Sequence, residues 1–167
     1  MDTPTPREAQ LLEQLRAAFK SRALVYHAVY DEMRREFGAE KAQAVLKRAI
    51  YRRGEAIAGK FARHAPADLA GLKTTFLDFI PQGEALFAPE VLRCDGDELE
   101  IQFHRCPLKE AWEEAGLPED ERTTMCALAG IVDYGTFEAA GFAIESETWQ
   151  PGRSGCCRLH IRPGPKP

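Results

Sequence analysis

Apolar residues in the first half of the chain recur three and four positions apart. In EAQLLEQLRAAF, Leu11, Leu12, Leu15 and Phe19 share one side, the spacing of an amphipathic helix. ALVYHAVYDEMRREFG continues the pattern with Val25, Val29 and Met33 one turn apart and Gly38 as its stop. A second helix is predicted from Ala39 to about Arg63, interrupted by Gly54 and Gly59, which suit close helix packing. A third, PADLAGLKTTFLDFI, ends by Pro81.

Beyond Pro81 the period changes. Leu99, Ile101 and Phe103 alternate with Glu98, Glu100, Gln102 and His104, the period of a strand with one buried face. With the turn Asp95-Gly96-Asp97 before it, EVLRCDGDELEIQFHRC is predicted to be a β-hairpin. Pro107 opens a short helix that stops at Gly116, and PEDERTTMCALAGIVDYGTFEAAG follows as another, acidic in its first turn. FAIESETWQ, the turn PGRSG and CCRLHIRP make a second hairpin, and PGPKP a frayed tail.

Helices, hairpin, two helices, hairpin is an α+β order: an antiparallel sheet of about four strands with helices against one face. The 167 residues form a single domain, with N-terminal helices over about 7–80 and an α+β part over about 81–163. A doubly wound nucleotide-binding fold is not expected, since strands and helices do not alternate and no Gly-rich phosphate loop opens a helix.

Composition narrows the function. Hydrophobic residues make up 44% and charged residues 29%, ordinary globular usage, and a net charge of −4 argues against nucleic acid as a partner. The polar, Pro-rich start MDTPTPREAQ is unlike a secretory signal, and no apolar run is long enough for a bilayer. The expected protein is soluble and cytoplasmic, with no membrane partner. Its five cysteines, Cys94, Cys106, Cys126, Cys156 and Cys157, are then thiols.

Strand alternation places His104 and Cys106 on one face, with Cys106 beside the N-terminus of the helix opened by Pro107. Helix-terminal amides there favour a thiolate, and a nearby histidine can move a proton. The opposing reading, a small buried cysteine and a solvated histidine, stands equally on local pattern. Cys126 sits mid-helix in apolar company, and Asp133 follows two turns along the same face. In CCRLHIR, alternation assigns Cys157, Leu159 and Ile161 to the core. Cys156, Arg158, His160 and Arg162 fall on the polar face, where an arginine can grip a carboxylate. A zinc site from Cys106, Cys126, Cys156 and His104 or His160 is an alternative, but the close ligand pairs, His104/Cys106 and Cys156/His160, have one and three residues between them and not the repeated spacing of zinc sites; otherwise no cofactor or metal is expected.

Taken together, Cys106-Pro107-Leu108, EAWEEAGLPE, Cys126 in the next helix and ETWQPGRSGCCRLHI resemble the bacterial L-2-amino-thiazoline-4-carboxylic acid hydrolase family, whose N-terminal helices the first half also suits. The resemblance implies a cysteine-dependent hydrolase that opens a thiazoline ring at a C–N bond, giving S-carbamoyl-L-cysteine. It implies catalytic roles for Cys106, Cys126, His104 and Asp133, and substrate-binding roles for Arg158, Cys156 and His160. The chain has Ala129 where the family carries an acidic residue, and its hairpin cysteine is doubled. The competing expectation is a small-molecule, metal or redox-sensing domain without catalysis. The long first helix also offers a surface for a homodimer.

Overall fold

The computed structural model describes residues 5–165. Helix α1 spans Pro6–Phe37, begun by a reciprocal cap in which the Glu8 amide donates to the Thr5 hydroxyl and the Thr5 amide to the Glu8 carboxylate. Gly38, at φ 83°, ends it and admits α2, Ala39–Ala58. A 3₁₀ turn at Ala62–His64 precedes α3, Leu69–Phe79, capped by Asp68 accepting from the Gly71 amide at 2.9 Å. The one-turn α4, Gly83–Leu86, leads into β1, Pro89–Cys94, and β2, Leu99–Phe103. Then come α5, Pro107–Glu114; α6, Glu119–Ala139; β3, Ala143–Glu147; and β4, Arg158–Arg162.

The sheet is antiparallel in the order β1-β2-β4-β3, so the two hairpins join through β2 and β4. Leu99, Ile101, Phe103, Leu159 and Ile161 are buried on the face covered by helices. The other face carries Glu100, Gln102, Arg158 and His160. This is the α+β architecture that the pattern predicts.

Two cores result. One lies between the sheet and α3, around Phe61, Leu72, Phe76 and Phe137. The other lies among α1, α2, α5 and α6, around Tyr30, Ile50, Trp112 and Met125. Helix α1 buries Ala23 and Tyr30, with Phe19, Tyr26 and Met33 packed alongside. Val25 and Val29, expected inside, are 57% and 46% exposed. The reason is Ala23: a small residue lets the Trp112 indole reach the Ala23 carbonyl at 2.9 Å, and this sets which side of α1 faces inward.

Helices α2 and α6 cross through glycines. A Cβ on Gly54 would strike the Val132 carbonyl, and one on Gly135 the Tyr51 carbonyl, so only hydrogen fits at either position. Gly59, by contrast, faces open space. The expected fraying of the C-terminal tail does not hold as far as Gly164, whose amide donates to the Pro66 carbonyl at 2.9 Å; residues 166 and 167 lie outside the described residues, as does the start of the N-terminal segment, residues 1–4. Among the described residues no helix is long and apolar enough to cross a membrane.

Candidate functional site

A cavity of about 450 Å³ opens at the seam between the two cores. Its aromatic wall is built from α1, α3, the ends of α4 and β2 and the start of the 3₁₀ turn: Phe19, Phe76, Phe79, Phe87, Phe103 and Phe61. These rings meet edge to face, Phe19 on Phe87 and Phe61 on Phe79 at 5.5 Å, an arrangement that holds the wall in shape. The same cavity also takes in thiols and a carboxyl. Cys106, Cys126, Cys156 and Cys157 line it, together with Asp133.

Each of these residues arrives for a local reason. Cys106 is the N-cap of α5, with extended backbone (φ −153°, ψ 114°) and Pro107 directly after it. Cys126, Ala129, Gly130 and Asp133 follow one face of α6, three to four residues apart, so the two-turn relation of Cys126 and Asp133 predicted from spacing holds. The doubled cysteine escapes strand alternation through a bulge. The Cys156 amide donates to the Phe103 carbonyl at 2.8 Å, and the Phe103 amide donates to the Cys157 carbonyl at 2.7 Å. Two residues therefore oppose one, and both thiols reach the cavity. Gly155 precedes them at φ 76°, where a Cβ would run into the Gln102 side chain. Cys157 packs against the core as expected, whereas Cys156, expected on the polar face of β4, is buried at the cavity.

Electrostatically the thiols are dormant. Burial pushes Cys126 and Cys156 up to about 12 and Cys157 well above its ordinary value, and negative charge on neighbouring thiols adds to the effect. For Cys106 burial again dominates and raises the pKa, although the Lys109 and Leu108 amides of the α5 N-terminus work in the opposite direction. Asp133 is raised to about 7 by burial alone. It has no hydrogen-bond or ion-pair partner among the described residues, and its charge acts on Cys157.

Three other expected site residues lie elsewhere. His104 is 49% exposed, with Nε2 2.7 Å from the Glu90 carboxylate, and does not meet Cys106. Strand β2 ends at Phe103, so the alternation that paired these two residues has already lapsed. Arg158 is held on the outer face of the sheet by Gln102 at 3.0 Å and Glu100 at 3.3 Å. His160 sits there between Glu98 at 3.2 Å and Glu147 at 3.0 Å.

The cationic groups at the cavity are instead Arg22, Arg53, Arg105 and Lys109. Arg22 and Arg53 are exposed at its rim and have no carboxylate partner among the described residues. The sequence offered no signal for them, because each looks like one more charge on a solvated helix face. As for metals, Glu98, Glu100 and His160 bring ligand atoms within 4.8 Å of one another, but Arg162 and Arg158 already neutralise these carboxylates. The thiolate-rich set with His104 or His160 is not gathered, since both histidines lie away from the cavity.

None of the curated proteins matches the chain significantly. Among solved structures, a trafficking protein particle complex subunit 3 from Naegleria fowleri, covalently bound to palmitic acid, is similar with a TM-score of 0.56 and 15% identity. The match covers 89% of this chain and 96% of that one. At that identity the likeness is one of fold. A family model described as L-2-amino-thiazoline-4-carboxylic acid hydrolase matches residues 17–161, which take in α1 from Ala17, the whole cavity lining and β4 as far as Ile161. The chain belongs to the L-2-amino-thiazoline-4-carboxylic acid hydrolase family.

Proposed function

We propose that the protein is a cysteine-dependent hydrolase of cyclic amidine-type C–N bonds, with the cavity as its active site. The observation that carries this reading is that a helix-capping thiol, Cys106, and the carboxyl of Asp133 line one cavity. A carboxyl near pKa 7 is poised to give and take a proton at neutral pH.

The chemistry balances with one water. The Cys106 thiol adds to C2 of the thiazoline, and its proton passes to the ring nitrogen with Asp133 as relay. The ring C–N bond then breaks, leaving the carbon attached to the enzyme sulfur, the substrate sulfur and the former exocyclic nitrogen. Water adds at that carbon and expels the Cys106 sulfur, which recovers its proton, and S-carbamoyl-L-cysteine departs. Backbone amides at the start of α5 stabilise the negative charge on sulfur as it leaves. Cys126 lines the same cavity and is the alternative nucleophile; Arg22 or Arg53 at the rim is suited to the substrate carboxylate. His104, Arg158 and His160 carry no step in this scheme.

The test is turnover of the thiazoline by the wild type and by Cys106→Ser, Cys126→Ser and Asp133→Asn separately. Loss in Cys106→Ser and Asp133→Asn is expected. Full turnover in both Cys106→Ser and Cys126→Ser removes the thiolate mechanism.

A second reading, an apolar-ligand-binding domain without catalysis, is favoured by the aromatic wall and the raised thiols. The trafficking-complex subunit of like fold holds palmitic acid. Saturable binding of a fatty acyl ligand in the cavity without any turnover supports this reading over the first.

A further inference from the structure

Asp133 presents an imbalance that the small thiazoline does not resolve by itself. A carboxyl that faces an apolar cavity, with no hydrogen-bond donor or cation paired to it among the described residues, is costly to ionise. Proteins hold such groups where a ligand supplies the missing partner. No arginine or lysine among the described residues is paired with Asp133, although four line the same cavity, so its missing partner is left for a ligand to supply. The rest of the space is larger than the ring requires. About 450 Å³ falls in the range of roughly 300–1,000 Å³ that suits drug-sized ligands. Its walls are phenylalanine rings, which reward hydrocarbon rather than water.

We infer that the cavity recognises a cationic amphiphile: an amidine or amine head paired with Asp133, carrying an apolar body that lies along Phe76, Phe87 and Phe103. The inference rests on the proposed site but not on its turnover. A thiazoline bearing a hydrocarbon substituent is then a better substrate than the bare ring. The ring nitrogens supply the cation and the substituent fills the aromatic end. Ala129, a small residue one turn before Asp133 on α6, lines the same cavity.

The experiment is calorimetric titration of the full chain with a matched series, each below its micelle concentration: decanamidine, decylamine, decanol, decanoic acid, and the short acetamidine. The wild type is expected to bind the two long cations at least about tenfold more tightly than decanol or decanoic acid, and more tightly than acetamidine by a similar factor. Asp133→Asn is expected to erase the preference for cations while keeping affinity for decanol. Glu100→Gln, on the outer face of the sheet, changes neither.

Decanoic acid binding as tightly as the amidine, or a preference for cations that survives in Asp133→Asn, overturns the assignment of the head group. Acetamidine binding as tightly as decanamidine overturns the apolar body. The comparison within the wild type stands even if Asp133→Asn fails to fold. Long cations that bind at Asp133 without any thiazoline turnover sink the hydrolase reading alone.

Discussion

On the outer face of the sheet, carboxylates and imidazole are matched. His160 lies between Glu98 and Glu147, Arg158 meets Glu100, and Arg162 meets Glu98. Burial would raise Glu98, but Arg162 and His160 outweigh it, so the carboxyl sits below its ordinary value. On the other side of the same sheet, Asp133 has no partner and is held near 7, and the thiols beside it are held protonated. A set of side chains whose charges cancel one another has little left for a ligand. A set left unmatched in an enclosed, apolar space has its interaction still to make. The motif-bearing histidines fall in the first set and the cysteines in the second.

The sharpest way to break this contrast is thiol reactivity without ligand. At pH 8, Cys126 and Cys156 are expected to react with iodoacetamide about a thousandfold more slowly than free cysteine, because a thiol near 12 is almost wholly protonated there. Mass spectrometry assigns each site. A cavity thiol labelled at the free-cysteine rate would contradict dormancy and mark that residue as a ready nucleophile.

Next in size is turnover. Asp133→Asn is expected to lower kcat/KM for the thiazoline about a hundredfold, in line with loss of a general acid–base group. His160→Gln and Glu100→Gln should stay within about twofold. Equal losses on both faces would dissolve the distinction.

The stability of Asp133→Asn sharpens it further. The folded carboxyl titrates near 7 and the unfolded one near 3.8. Between those values the unfolded chain has released its proton and the folded protein has not, so wild-type stability falls as pH rises from about 4 to about 7 and then levels. Asparagine removes that penalty. The variant is expected to gain up to about 4 kcal/mol over the wild type at pH 8, and less than about 1 kcal/mol at pH 4, in urea unfolding. A constant difference across this range would mean that Asp133 is not buried in its acid form.

The smallest effect belongs to the outer face. His160→Gln is expected to cost about 1 kcal/mol or less, since partly exposed ion pairs contribute little. A larger loss in thermal unfolding would give that network a structural weight the contrast denies it.

The α+β order, both hairpins, the helix opened by Pro107 and the two-turn relation of Cys126 to Asp133 were legible in the sequence, because each depends on local periodicity or on one capping residue. The inward side of α1 was not. Val25 and Val29 make as regular an apolar stripe as Ala23, Tyr26 and Tyr30, and only contact with Trp112 chooses between them. Nor was the pairing of His104 with Glu90 legible, since alternation gives a side chain's face only while the strand continues.

By itself, then, the sequence determined the elements, the family pattern and the residue types available for chemistry. The tertiary structure alone decided which of them meet. The bulge at Cys156 and Cys157 turned both thiols to one side, the glycine crossing of α2 and α6 brought the Asp133 face against the cavity, and the sheet's outer ion pairs took His160 and Arg158 out of play. Periodicity is a property of neighbours along the chain, whereas burial, and with it the protonation of Asp133 and the thiols, comes from residues far apart in sequence that exclude water together.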